Sequence, residues 1–245
     1  MKKIAFYGKG GIGKSTTVSN IAAALVKSGY KVFQIGCDPK SDSTINHNNG
    51  KRIETVLSAM RKGIDDEKQI VNVGSDGVYL MEAGGPTPGT GCAGRGIITA
   101  FEKIKELQIY EKYEPDFVLF DVLGDVVCGG FAMPIRGGYA DELYVVTSGE
   151  MMSLYAANNI VEAVKNQSAG YAKLKGLILN KKNIENEDFI AEKAAKEMGT
   201  DIFFTLPRNK SVQDAESVHK TVVEAFPECE MSKYYMELAE KIINE

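Results

Sequence analysis

A nine-residue run near the start of the chain, Gly8-Lys9-Gly10-Gly11-Ile12-Gly13-Lys14-Ser15-Thr16, restricts the folds open to it more than any other feature. It directly follows the apolar stretch Ile4-Ala5-Phe6-Tyr7 and directly precedes an amphipathic stretch from Val18 to Val26. Strand, glycine-rich loop and helix in immediate succession form the context in which backbone N–H groups cradle phosphate oxygens. Glycines permit the tight curl, the helix N-terminus adds positive potential, and Lys14 supplies a mobile cation. The Ser15 hydroxyl is placed to ligate Mg²⁺.

The rest of the chain repeats this construction. Short apolar runs at Lys3–Tyr7, Lys31–Gly36, Val78–Glu82, Asp116–Asp121, Glu142–Thr147, Leu174–Asn180 and Ile202–Leu206 read as strands. Helical periodicity lies between them at Lys14–Lys27, Arg95–Leu107, Ser153–Lys165, Asp188–Met198 and Ser232–Asn244. The expected fold is α/β, a mostly parallel twisted sheet with helices on both faces, built as one domain over residues 1–245. No linker, tandem repeat or low-complexity tract interrupts it. Sites in such sheets form outside the carboxyl ends of the strands, so the loops Gly8–Ser15, Asp38–Ser43, Gly84–Gly96 and Asp121–Gly130 are expected along one edge.

Composition narrows the class of function. In 245 residues, 44% hydrophobic and 25% charged content is ordinary for a globule with a proper core. A net charge of −4 with no basic block argues against nucleic acid as the main partner. No apolar run approaches the roughly 20 residues of a membrane span. The start, Met1-Lys2-Lys3, enters a strand at once, and its apolar run is too short and glycine-broken for a signal peptide. The expectation is a cytoplasmic protein with no membrane partner. There its four cysteines, Cys37, Cys92, Cys128 and Cys229, serve as core filler or as chemistry rather than as disulfides.

Three acidic residues sit where a phosphate loop needs them. Asp121 ends the run Phe117-Val118-Leu119-Phe120, on a strand suited to positioning Mg²⁺ directly or through water. Asp38, in Asp38-Pro39-Lys40-Ser41-Asp42-Ser43-Thr44, stands at a strand end from which a carboxylate orients or deprotonates an attacking water. Asp42 either senses Mg²⁺ or forms a plain Asx-turn. Cys92 lies immediately before a helix, where free amides and the helix dipole favour a thiolate. Cys128 lies seven positions beyond Asp121, and both cysteines have glycine neighbours. Two cysteines cannot supply the four thiolates of a [4Fe–4S] cluster, whereas two copies of the chain can. Spacing alone leaves that reading level with two inert buried thiols, the reading given to Cys37 and Cys229.

The loops themselves closely resemble the nitrogenase iron protein family, which includes the iron proteins of nitrogenase-like tetrapyrrole reductases. The matching stretches are Gly8–Thr16, Asp38-Pro39-Lys40, Gly89-Thr90-Gly91-Cys92-Ala93-Gly94-Arg95-Gly96, and Asp121 through Asp125 and Cys128 to Pro134. Ser148-Gly149-Glu150-Met151-Met152 and Tyr155–Ile160 match as well, so the resemblance covers nearly the whole chain. It implies a P-loop ATPase of the deviant Walker A type, marked by Lys9, which reaches across a homodimer to the partner's nucleotide. It further implies one [4Fe–4S] cluster per homodimer, held by Cys92 and Cys128 of each copy. MgATP binding would compact the dimer, and the cluster would pass one electron to a separate metallocluster catalytic component, with ferredoxin or flavodoxin as electron source. Carried over by position, Lys9, Lys14, Ser15 and Thr16 hold phosphates and Mg²⁺, Lys9, Asp38 and Asp121 serve hydrolysis, and Asp42 and Asp121 belong to two switches. Asp125, between Asp121 and Cys128, would couple phosphate state to the cluster. Asn180 matches an adenine-contacting asparagine, with Pro207, Arg208, Gln213 and Glu216 in the same role. Arg95 matches a docking-surface arginine that some members have ADP-ribosylated.

Departures from the family pattern concern the partner. Ile135-Arg136-Gly137-Gly138-Tyr139-Ala140 replaces a more charged segment, Asn209 stands where aspartate is usual, and the segment between Ser43 and Val78 is short. The chain also stops soon after Tyr234-Tyr235, without the long tail many members wrap round the dimer. These tilt the expectation toward a nitrogenase-like system. Rivals are a non-redox positioning or partitioning ATPase and an iron–sulfur carrier ATPase. The first calls for a membrane-binding tail or a basic surface, and the second for a Cys-x-x-Cys pair that the sequence lacks.

Overall fold

The computed structural model describes residues 1–85, 93–124, 137–165 and 172–245. Among them, eight strands form one sheet: β1 (Lys2–Tyr7), β2 (Val32–Gly36), β3 (Asn72–Val73), β4 (Tyr79–Glu82), β5 (Phe117–Asp121), β6 (Glu142–Thr147), β7 (Lys173–Asn180) and β8 (Ile202–Leu206). Their order is β3-β4-β2-β5-β1-β6-β7-β8. Every pairing is parallel except that of β3 with β4. The helices are α1 (Lys14–Lys27), α2 (Val56–Arg61), α3 (Glu67–Ile70), α4 (Ala93–Glu106), α5 (Ile109–Tyr113), α6 (Met151–Lys165), α7 (Glu187–Glu197), α8 (Lys210–Ser217), α9 (Val222–Ala225) and α10 (Glu230–Ile243). Among the described residues one 3₁₀ turn spans Ile45–His47.

The sheet is buried on both faces, which is why its central strands read as unbroken apolar runs rather than as alternations. Both β2 and β5 are buried along their whole length. Successive residues of β1 enter opposite cores: Ala5 and Tyr7 pack with α2, α4, α5, α6 and α7, and Ile4 and Phe6 with α1, α8, α9 and α10. The expected two-sided α/β sheet is the one observed. Its strands agree with the sequence reading to within one or two residues, apart from the two-residue edge strand β3, which periodicity cannot register.

The connection from β1 through α1 enters β2, two places to one side, while β6 pairs with β1 on the other. The order thus reverses at β1, and a crevice opens beyond its carboxyl end, the usual place for a ligand in such sheets. The glycine-rich run fills that position. Among the described residues no helix is long and apolar enough to cross a membrane.

Candidate functional site

Backbone geometry shapes the loop between β1 and α1 first. Gly13 takes the left-handed conformation, φ 94°, at the N-cap of α1, and its space is closed by the Asn180 side chain, which a Cβ would strike. Only glycine meets both conditions. No side chain caps α1. Its first-turn amides are therefore left for a ligand, and the positive end of the helix points the same way. Thr17 secures the first turn instead, donating from both N (2.9 Å) and Oγ1 (2.8 Å) to the Gly13 carbonyl.

A cavity of about 380 Å³ lies over this loop. Lys9, Gly10, Gly11, Gly13, Lys14, Ser15 and Thr16 line it, together with Asp38, Lys40, Asp42, Leu123 and Glu216. Gly8 and Ile12 complete the loop from beneath, with the Ile12 N–H bonded to the Lys9 carbonyl at 3.2 Å. Lys14 is 6% exposed and forms an ion pair with Oδ1 of Asp121, itself 1% exposed. The other carboxylate oxygen, Oδ2, is buried without a hydrogen-bond partner among the described residues. A phosphate entering the loop offers Lys14 a second anion, and Oδ2 is a ready acceptor for a metal-bound water. The residues present fit MgATP.

The expected base-binding residues gather next door. A recess of about 190 Å³ is lined by Asn180, Lys181, Lys182, Pro207, Arg208, Asn209, Val212, Gln213, Met231 and Tyr235. Asn180 joins the two compartments: its Nδ2 donates to the Ile12 carbonyl at 2.7 Å. Glu216 belongs to the phosphate side, accepting from Thr16 Oγ1 at 2.5 Å. Asn209 caps α8, its Oδ1 accepting from Ser211 N at 2.9 Å. An aspartate would cap the helix in the same way, which accounts for the exchange. Larger recesses of about 460 Å³ between α6 and α7 and about 530 Å³ against α10 have neither a glycine-rich loop nor a buried charge.

Lys182 and Glu82 were not singled out by sequence reasoning, nor were Lys40 and Leu123 as site residues. Lys182 reaches the Ile12 carbonyl at 3.4 Å from two positions past the end of β7, a distance in sequence that a strand-end search would have covered. Cys92, Cys128 and Asp125 lie outside the described residues. The other two cysteines are accounted for. Burial pushes the Cys37 thiol well above its usual range, with the neighbouring Asp121 carboxylate adding to the effect. Cys229 caps α10, its sulfur accepting from Ser232 N at 3.4 Å. Among the described residues no group of three or more His, Cys, Asp or Glu is set to hold a metal. Arg95 is exposed in the first turn of α4.

Residues 2–245 match the family described as 4Fe-4S iron sulfur cluster binding proteins, NifH/frxC family. The chain is 48% identical to nitrogenase iron protein 2 of Methanothermococcus thermolithotrophicus over 257 residues, covering 99% of this chain and 88% of that protein. It is 49% identical to the nitrogenase iron protein of Methanospirillum hungatei over 249 residues, with the same coverage. Among solved structures, the cell division ATPase MinD of Pyrococcus furiosus superposes with a TM-score of 0.76 at 21% identity, covering 99% of this chain and 98% of that one. A ParA family ATPase from Chlorobium tepidum gives 0.73 at 19%, covering 98% of each chain. At such identities these two speak for the fold alone.

Proposed function

Since the chain belongs to the NifH/frxC family of 4Fe-4S iron–sulfur cluster binding proteins, we propose that it is an ATP-dependent one-electron donor, the reductase component of a nitrogenase or nitrogenase-like system. The observation that carries this reading is the buried Lys14–Asp121 pair with its one unpartnered oxygen, set at the end of the strand whose chain continues to Cys128. In a homodimer, Cys92 and Cys128 of both copies would hold the cluster, which supplies reversible one-electron chemistry. Everything else is the work of this chain's own side chains.

Phosphates bind on the first-turn amides of α1 and draw the Lys14 ammonium toward them. The Ser15 hydroxyl would ligate Mg²⁺, and Thr16, fixed by Glu216, lies beside Ser15. Asp38 orients the water that attacks the γ-phosphorus, so that the bond to the β–γ bridging oxygen breaks to give ADP and phosphate. Asp121, relieved of Lys14, moves with the segment through Asp125 toward Cys128, and Asp42 does the same for the loop after β2. Lys9 reaches the nucleotide of the partner subunit. Asn180, Pro207, Arg208 and Gln213 hold the base. A cytoplasmic setting and a small ferredoxin or flavodoxin as electron source complete the reading.

Identity near 48% to nitrogenase iron proteins, against about 20% to MinD and ParA proteins, favours the electron donor over a positioning ATPase. The test is an anaerobic pull-down of the protein trapped with ADP and aluminium fluoride. Recovery of a large metallocluster protein is the expected result, and its identity names the substrate. Recovery of only chromosome-associated, membrane or cluster-assembly proteins by an intact trapped dimer would count against it.

A further inference from the structure

Glu82 ends β4 with its side chain fully buried, and no role in the site has yet been given to it. In the register of the sheet, Gly36 of β2 lies between Glu82 on one side and Asp121 on the other. A Cβ at position 36 would strike the Glu82 carboxylate, so the glycine makes the room into which that carboxylate leans. Its Oε1 accepts from both the N–H and the Oγ1 of Thr44, each at 2.9 Å. Its Oε2 has no hydrogen-bond partner among the described residues.

Thr44 closes the loop that carries Asp38 and Asp42, and its neighbourhood is tied by hydrogen bonds. Gln34 Nε2 donates to the Ser43 carbonyl at 2.8 Å, and Ser19 Oγ donates to the same oxygen at 3.2 Å. Gln34 Oε1 in turn faces Nε2 of the buried His47 at 3.0 Å, whose Nδ1 lies 2.6 Å from Asp76. At the other end of the loop the chain just beyond β4 makes a second contact. Gly85 packs on the Pro39 ring so closely that a Cβ on it would lie 2.7 Å from the Pro39 Cβ. Arg61 Nη1 holds the Gly85 carbonyl at 3.2 Å. Residues 82–85 thus grip the nucleotide-facing loop at both ends, and Cys92 follows seven positions further along the chain.

We propose that Glu82 is a positioning residue: it pins Thr44 to the end of β4, so that a displacement of Asp38 by nucleotide is delivered through Pro39 to Gly85 and on toward Cys92. This rests on the electron-donor reading and adds to it a second route, separate from the one through Asp121 and Asp125. A loop free at Thr44 would absorb the displacement. A loop fixed there must pass it on.

The experiment compares the wild-type holoprotein with Glu82→Ala and Glu82→Gln, kept anaerobic, by MgATP affinity, MgATP-triggered chelation of iron by bipyridyl, and hydrogen exchange. Glu82→Ala should bind MgATP within about threefold of wild type yet chelate about tenfold more slowly, and Glu82→Gln, which keeps the acceptor for Thr44, should recover the rate to within about threefold. In wild type MgATP should alter exchange at residues 38–44 and 83–85 together; in Glu82→Ala only at the first. Thr44→Val, which removes one donor with little change of shape, gives the same comparison if Glu82→Ala does not fold. Unchanged chelation with the 83–85 response intact would overturn the proposal, as would affinity and chelation falling in parallel. A wild type without nucleotide-triggered chelation would instead sink the electron-donor reading, and the exchange data would still decide the coupling.

Discussion

Replacing Glu82 with Gln should remove a pH dependence of stability that the wild-type fold builds in. Burial pushes the Glu82 carboxyl from 4.5 up to about 8; the two bonds from Thr44 oppose the shift, and the Asp121 and Asp42 carboxylates add to it. The folded chain therefore holds a proton here that the unfolded chain has released, across the window between those two values. Stability from this group is complete below pH 4.5 and is lost as pH rises toward 8, at up to ~1.4 kcal/mol per pH unit. The full window sets a ceiling near 5 kcal/mol, and relaxation of the site makes a loss on the order of 2–4 kcal/mol the expectation. Gln keeps the acceptor for Thr44 and cannot ionise. Urea unfolding of both proteins, kept anaerobic and followed by circular dichroism at pH 5, 6, 7 and 8, isolates the group, since other titrations cancel in the difference. The two should be about equally stable at pH 5, with the Gln variant increasingly favoured toward pH 8. Parallel curves, or a Gln variant that loses ground as pH rises, would refute the reasoning.

Other perturbations test the site directly. Cys92→Ser or Cys128→Ser should abolish the cluster's electron paramagnetic resonance signal while MgADP still binds by calorimetry, and Cys37→Ser should leave the signal in place. Lys14→Gln should keep that signal but eliminate MgATP-triggered chelation of iron and weaken MgATP binding by about 100-fold or more, since a charge-assisted phosphate contact is lost. Asn209→Ala should lower stability by about 1 kcal/mol in urea unfolding and weaken nucleotide binding through Gln213 and Glu216 of α8, whereas Asn209→Asp should fall within about 0.5 kcal/mol of wild type.

Much of this architecture was legible because the apolar runs are long and the loop chemistry is local. The helix expected over Lys14–Lys27 has those bounds in the structure, and the phosphate loop lies where its flanks required. The shorter helices escaped because four to eight residues carry too little periodicity. Their caps were nonetheless visible: Thr55 accepts from Ser58 N, and Thr221 accepts from Glu224 N in a Thr-x-x-Glu pattern. Motif logic brought Lys14 and Asp121 to one site, as phosphate cation and Mg²⁺ partner, but not their ion pair with each other. The grouping of Asn180, Pro207, Arg208 and Gln213 did not follow from it, since only the family resemblance pointed to these scattered loop residues. Glu82 was beyond sequence reasoning altogether. Its position depends on a glycine two strands' sequence away and on the register that sets Gly36 beside it, facts that exist only after the sheet has formed.

That register bears on how the site handles charge. Glu82 and Asp121 flank Gly36 on neighbouring strands, both buried, so ionising both is costly. Asp121 has the Lys14 ammonium as counter-charge, whereas among the described residues Glu82 has the uncharged donors of Thr44. Lys14 thus compensates the Asp121 carboxylate, while burial pushes the neighbouring Glu82 carboxyl up to about 8 and favours its protonated form. Phosphates that draw Lys14 away would leave Asp121 as a buried anion without its cation, beside a carboxyl that cannot compensate it. A divalent cation arriving with the nucleotide restores the balance, and Oδ2 is the atom already free to receive it through water. In the proposed cycle, Mg²⁺ is then more than a counter-ion to ATP. It is the charge that permits Lys14 to leave, and ATP without it would have to bind against the pull of Asp121.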